Sequence, residues 1–380
     1  MTAFERPASE MEGRRNRGAP SAPRQSRRLV LVLLAGAMMI AAPCGAIEEA
    51  GTFSIVALDP ETGEIGVAVE SRAFSVGSAV SWAEAGVGAI ATQSQTNESF
   101  GPRGLDLMRA GRDAGQTLRE LLAPDAGRES RQVGIVDAKG GSISHTGTGC
   151  SPWAGDTTAP GIAIQGNILA GPEVVSAMLR AFRETRGELA ERLIATLKAG
   201  QAAGGDRRGQ QSAALLVVRP SDLYPEYRTR YVDLRVEDHP APIDELERIF
   251  RIHQVSDLLQ AHTRYAALYD SLGQQENARR ERERIGETLS GYLSGPRRDA
   301  QELNSLAWFC ALGNVHMEEA LRAAQLAVEL EPESAEIIDT LAEVYFRMGR
   351  REEALSTIER AIRIAPEDPY LLGQRERFRR

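Results

Sequence analysis

Three cysteines and five histidines in 380 residues leave little material for a disulfide framework or a metal centre. The histidines show none of the paired spacings that metal ligation needs, so neither a metal nor a cofactor is expected. Cys150 and Cys310 fall in segments of different periodicity, and Cys44 lies in an N-terminal segment of another character, which argues against internal disulfides. Basic charge is in deficit as well: 45 Lys and Arg against 53 Asp and Glu give a net charge of −8. An acidic chain suits neither nucleic acid nor an anionic membrane surface. After residue 50 no apolar run approaches the ~20 residues that a membrane-spanning helix requires.

The N-terminus has its own pattern. Arg14, Arg15, Arg17, Arg24, Arg27 and Arg28 precede an apolar run from Leu29 to Ala42, followed by Cys44-Gly45-Ala46. A basic stretch, a short apolar stretch and small residues at −3 and −1 read as a secretory signal over residues 1–46, cut after Ala46. Ser26-Arg27-Arg28 weakly matches a twin-arginine export signal. Lipoprotein anchoring at Cys44 is disfavoured by Pro43 before it. The expected location is periplasmic or secreted. Removing residues 1–46 takes away seven Arg and three Glu, moving the net charge from −8 to −12.

Two periodicities follow. From Thr52 to about Gln254, short apolar runs alternate with turn residues. Thr52–Leu58 and Ile65–Glu70 flank Asp59-Pro60-Glu61-Thr62-Gly63, which predicts a β-hairpin. Further strands are expected at Val87–Thr92, Gln132–Asp137, Ser142–His145, Gly161–Gln165, Ala213–Val218 and Tyr231–Val236. Helices are expected over Gly104–Leu122 and from Pro172-Glu173 to Gly200. The strands are apolar on both faces, which suits two stacked sheets between helices. After about Ser256 the period becomes 3.6. Leu306-Ala307-Trp308, Ala320-Leu321 and Leu330-Glu331-Pro332 are echoed by Leu341-Ala342-Glu343, Ala354-Leu355 and Ile364-Ala365-Pro366, a 34-residue repeat. Residues Asn304–Pro366 resemble tetratricopeptide repeats, and Gln260–Leu293 reads as a degraded helix pair capping the stack. Such arrays present a concave surface to a protein or peptide partner, or hold a homodimer.

Over Thr52–Gln254 the motifs Thr52-Phe53-Ser54-Ile55-Val56-Ala57, Asp59-Pro60-Glu61-Thr62-Gly63, Ala91-Thr92-Gln93, Arg131-Gln132-Val133-Gly134, Trp153-Ala154-Gly155, Gln165-Gly166-Asn167-Ile168-Leu169, Gly204-Gly205-Asp206-Arg207-Arg208-Gly209 and Asp233-Leu234-Arg235 resemble the domain-of-unknown-function family 1028. That family is placed among the N-terminal nucleophile hydrolases. The resemblance implies an α+β fold, a four-layer αββα sandwich over residues 52–254, here followed by an all-α repeat domain over 255–380. Residues 47–51 are then a short propeptide or linker. Relatives without an export signal carry the equivalent of Thr52 directly after the initiator Met. Here Thr52 would be freed by trimming, or by attack of its own hydroxyl on the Gly51 carbonyl.

An N-terminal threonine carries a hydroxyl nucleophile and its own base, an α-amine titrating near 7.7–8.0. Thr52 is the expected nucleophile. Asn167, at a loop after a buried strand, is the expected oxyanion donor, and Asp206, in a glycine-rich polar loop, is expected to orient the amine. Arg72, Gln93, Gln165 and Arg207 are candidate substrate-binding residues. Arg72 offers electrostatic support only, since its guanidinium does not act as a base. His145 and Cys150 read as structural, and Trp153 as core or pocket lid. The expected activity is hydrolysis of a small amide or peptide-like substrate. The competing expectation is a non-catalytic periplasmic adaptor or ligand-binding protein that uses the same fold and the repeats as a scaffold.

Overall fold

A computed structural model describes residues 51–220, 229–296 and 298–380. The proposed signal segment, with Cys44, lies outside the described residues. The strands are β1 (Thr52–Leu58), β2 (Ile65–Ser71), β3 (Ser81–Glu84), β4 (Gly88–Ser94), β5 (Arg131–Asp137), β6 (Ser142–Thr146), β7 (Gly155–Ala159), β8 (Ile162–Asn167), β9 (Ser212–Val218) and β10 (Arg230–Val236). They form two antiparallel sheets, ordered β10-β9-β2-β1-β8-β7 and β3-β4-β5-β6. The accompanying helices are α1 (Val76–Val80), α2 (Phe100–Arg109), α3 (Ala114–Leu122), α4 (Glu173–Glu184), α5 (Leu189–Ala202) and α6 (Pro242–His253). This is a mixed α/β domain with two antiparallel sheets.

Alternation along the strands sends side chains to two different cores. Phe53, Ile55 and Ala57 of β1 meet Val174, Met178 and Phe182 of α4 and Leu193 and Leu197 of α5. Val56, Val67 and Val69 point the other way and pack with Ala89, Ala91 and Val136 of the second sheet. Ile90, Val133 and Ile135 of the second sheet pack on Phe100, Leu105, Leu118 and Leu121 of α2 and α3. Burying an aliphatic side chain of this size contributes roughly 1.5–3 kcal/mol, so these faces drive assembly.

The expected helix over Gly104–Leu122 is two helices. Gly111 takes a left-handed φ of 93° after α2, and Asp113 starts α3 by accepting from the Gln116 amide while the Gln116 side chain accepts from the Asp113 amide. The expected helix from Pro172 to Gly200 is likewise divided, at Gly187 with φ 110°. Two short edge strands, β3 and β7, were not expected. Both are only half-buried and lack an apolar alternation strong enough to signal them.

The helical repeats comprise α7 (Leu259–Ser271), α8 (Gln275–Ser294), α9 (Ala300–Gly313), α10 (Met317–Leu330), α11 (Ala335–Arg347), α12 (Arg351–Ile364) and α13 (Pro369–Arg379). Ala307, Ala311, Ala320, Ala324, Ala354 and Ala361 are fully buried, which lets the helices approach closely. Phe378 of α13 stacks on Phe346 at 4.7 Å and closes the end of the array.

The α/β domain passes to the repeats without a loop. α6 continues through a π-helical turn, Gln254–Leu258, into α7. Phe250 and Leu258 belong to the core of the α/β domain, Val255 and Leu259 to that of the repeats. The junction also buries charge. Glu64, Glu188 and Glu281 face Arg219, Arg284 and His262. His262 reaches Glu188 at 2.8 Å and Glu281 at 2.7 Å. Arg219 lies 2.5 Å from Glu281, 3.3 Å from Glu64 and 3.9 Å above the Tyr265 ring. Burial alone would lower the His262 pKa, but Glu188 and Glu281 outweigh it and hold the ring cationic, with a pKa raised to about 9. Burial raises Glu64 to about 7 against the pull of Arg219 and Arg284.

Candidate functional site

The hairpin register places Ser71 opposite Thr52, and the β1–β8 register places Asn167 opposite Thr52 on the other side. All three sit at one end of the first sheet on the face turned toward the second. Thr52 is 3% exposed and Asn167 1%.

The Gly51–Thr52 peptide bond is surrounded by polar groups. The Gly51 carbonyl accepts from Ser71 Oγ and, at 3.2 Å, from Arg208 Nη2. Ser71 Oγ also lies 3.0 Å from Thr52 Oγ. A serine hydroxyl has one proton. Because Ser71 gives its proton to the Gly51 carbonyl, Thr52 must be the donor to Ser71. The result is a directed chain, Thr52 to Ser71 to the Gly51 carbonyl.

Asp206 completes this end. Its carboxylate accepts from the Arg72 amide at 3.2 Å, from the Arg208 amide at 2.9 Å and from Arg208 Nη2 at 2.6 Å. Gly51 lies directly on it: a Cβ there would stand 2.6 Å from Asp206 Oδ2, so any side chain would have to displace the carboxylate. The loop carrying Asp206 is pinned to the end of β8 by the Arg207 amide, which donates to the Ile168 carbonyl at 3.0 Å. Ile168 itself has a φ of 54°. A β-branched residue in that region is unusual and marks a bend forced by its surroundings.

Beneath Thr52 lies a buried set of neutral side chains. Gln165 Nε2 donates to Ser54 Oγ, and Ser54 Oγ donates to Gln93 Oε1, both at 2.6 Å. Gln93 Nε2 reaches Gln132 Oε1 at 2.8 Å and the Thr52 carbonyl at 3.2 Å. Asn167 Nδ2 reaches the same Gln132 oxygen at 2.9 Å, and Gln132 Nε2 donates to the Gly166 carbonyl at 2.8 Å. These bonds tie the two sheets together across their interface. Gln93 and Gln165 are therefore enclosed within the protein. Arg72 and Arg207 are exposed; the first bonds Gln211 at 3.3 Å and the second the Pro152 carbonyl at 2.7 Å.

Glu70, beside Ser71, is fully buried and neither of its oxygens has a hydrogen-bond partner. Burial, and then the charge of Asp206, raise its pKa well above the usual range, with Arg208 opposing. His145 bonds the Arg128 carbonyl at 3.0 Å, and burial pushes the Cys150 thiol up. Trp153 packs at the edge of the first core. Ser71, Gln132 and Glu70 escaped the sequence reading of the site. Ser71 had a signal, since the hairpin register alone sets it opposite Thr52. Among the described residues no cluster of His, Cys, Asp and Glu could hold a metal ion, and no helix is long and apolar enough to cross a membrane.

An α/β domain of two antiparallel sheets with helical repeats behind it defines the class of protein. The chain belongs to the family of unknown function DUF1028, whose model matches residues 52–246. A tetratricopeptide repeat model matches residues 312–373. Among solved structures, protein SPO2555 from Silicibacter pomeroyi, itself of the DUF1028 family, is 32% identical, with a TM-score of 0.49 over 53% of this chain and 86% of that one. PcrH from Pseudomonas aeruginosa is 15% identical, with a TM-score of 0.21 over 32% of this chain and 87% of its own. PcrH in complex with the chaperone binding region of PopB is 16% identical, with a TM-score of 0.21 over 32% and 93%. No curated protein matches the chain.

Proposed function

We propose that the chain is an exported hydrolase of the N-terminal nucleophile type, cutting an amide or related C–N bond with Thr52, with repeats that bind a protein partner. On this reading the two sheets and their helices are the four-layer αββα sandwich of those enzymes. The observation that carries the reading is the polar enclosure of the Gly51–Thr52 bond by Ser71, Arg208 and Asp206. The family match also begins at Thr52, so the preceding residues lie outside what the family shares.

The enclosure suits self-processing. Thr52 Oγ attacks the Gly51 carbonyl carbon while its proton passes to Ser71, whose own proton passes to the carbonyl oxygen beside Arg208. The C–N bond then breaks, the nitrogen takes up a proton, and Gly51 is left as an ester on Thr52 Oγ. Water hydrolyses the ester, releasing a Gly51 carboxylate and a free Thr52 amine. That amine would occupy space next to Asp206, which fixes it for service as the base. In turnover it accepts the hydroxyl proton as Oγ attacks the substrate carbonyl, then returns the proton to the leaving nitrogen. Asn167 spends one amide hydrogen on Gln132 and retains a second for the developing oxyanion. Gln93 and Gln165 support the strand ends from beneath, and Arg72 and Arg207 face solvent where a substrate's acidic group would arrive.

The enclosure of Thr52 also supports the adaptor reading: a residue 3% exposed reaches no substrate while Gly51 stays attached. Intact mass and N-terminal sequencing of the protein recovered outside the cytoplasm separate the two. The enzyme reading expects a mature chain beginning at Thr52, and a Thr52→Ala chain that keeps the preceding residues and hydrolyses none of a panel of acyl-amino acids, small amides and cell-wall peptides. A wild-type chain that retains Gly51 and hydrolyses nothing in the panel would favour the adaptor.

A further inference from the structure

A cleft of about 630 Å³ lies between α5 and α6 on one side and α8 with the start of α9 on the other. Glu188, Glu191, Asp244, Glu247, Glu287 and Glu302 line it, against Arg248, Arg251 and Arg284, an excess of three negative charges. The arginines are already engaged: Arg248 with Glu245, Arg251 with Glu247, and Arg284 with Glu188 and Glu64. Asp244 and Glu287 are exposed and make no ion pair or side-chain hydrogen bond with the described residues. Glu191 takes only neutral donors, the Gln254 amide at 2.9 Å and the Glu188 backbone at 3.0 Å. A separate observation concerns Glu188, which is 7% exposed. Its Oε1 is used by His262 and Arg284, while Oε2, in the cleft wall, has no donor. Burial, and then the Glu188 charge, raise the Glu191 pKa.

Its carboxylates are spread over α5, α6 and α8, and no three of the described acidic groups converge as metal ligands. A single small cation would leave most of them unsatisfied. A chain with positive charges at intervals would satisfy several at once, and the volume is that of a small-molecule or short-peptide site. We propose that this cleft binds a linear ligand carrying two or more ammonium groups, a polyamine or a lysine-rich peptide segment, with Asp244 and Glu287 as anchors at the mouth and Glu188 and Glu191 at depth. The site is independent of Thr52.

The test is calorimetric titration of the full chain with trilysine, with spermidine and with side-chain-acetylated trilysine, at low and at physiological salt. Binding of at least one cation, weakened by salt and absent for the acetylated peptide, is expected. Trilysine without spermidine identifies a peptide segment, spermidine without trilysine a free polyamine, and both the shared chemistry. The Asp244→Asn/Glu287→Gln double variant removes two exposed charges with no partners to orphan, so its melting temperature should stay unchanged while affinity falls about fivefold to tenfold. Thr52→Ala should bind as wild type. No binding at millimolar cation, or affinity unchanged in the double variant, would overturn the proposal.

Discussion

His262 is 2% exposed and bridges Glu188 of the α/β domain and Glu281 of the repeats. Replacing it by alanine removes the cation and leaves two buried carboxylates 2.8 and 2.7 Å from where its ring nitrogens stood. Breaking a buried pair from one side costs roughly 3–5 kcal/mol. Part of that cost depends on pH. The folded pKa is raised from 6.5 to about 9, which at ~1.4 kcal/mol per pH unit is worth ~3 kcal/mol. A base with a raised folded pKa contributes fully below its unfolded value and loses that contribution as pH rises through the folded one. Wild-type stability should therefore fall between pH 6.5 and 9, and the deficit of His262→Ala should be largest at pH 6 and shrink by ~3 kcal/mol at pH 9.5. Urea unfolding of both chains at the two pH values, followed by near-ultraviolet circular dichroism, measures it. An equal deficit at both pH values would show that His262 is neutral in the folded protein and refute the ionic account of the junction.

Two further outcomes follow from buried side chains. Glu70→Gln should gain stability relative to wild type as pH rises above 4.5, because the folded protein holds Glu70 protonated while the unfolded chain ionises it; a melting-temperature difference that is the same at pH 4.5 and pH 7 would contradict this. Gln132→Leu should cost about 3 kcal/mol or more, since it orphans the Gln93 and Asn167 amides and the Gly166 carbonyl at once; denaturant melts within about 1 kcal/mol of wild type would refute the role assigned to the amide set.

What the sequence disclosed followed from locality. The β1–β2 hairpin was legible because its turn residues and both strands lie within twenty residues, and the repeats because Ala320 and Ala354, and Pro332 and Pro366, recur at a fixed period. The divisions at Gly111 and Gly187 were missed because helical periodicity resumes on the far side of each glycine and masks a short interruption. Arg208 and Gly51 are 157 residues apart, and Arg219 and Glu281 are 62 apart. No pattern in one sequence pairs such residues, and a buried arginine looks like any surface arginine until the fold encloses it. Gln93 and Gln165 have strand-end positions that suit a pocket wall, whereas the packing of one sheet on the other encloses them, with Gln132, at their interface.

The two polar interiors are built from different chemistry, and that difference bears on how the Thr52 end works. At the junction the partners are ions, whose strength varies with pH. Beneath Thr52 they are neutral amides and hydroxyls, which do not titrate near neutral pH and leave few donors unused. Gln93 holds the Thr52 carbonyl, Gln132 holds Asn167, and Ser71 is fixed by strand register. On the proposed reading, cutting ahead of Thr52 removes the Gly51 carbonyl that Ser71 and Arg208 hold, uncovers Asp206 and creates the amine between strands whose register is already set. The pH dependence of any hydrolysis should then show an acidic limb, activity rising as that amine loses its proton near about 7.7–8.0.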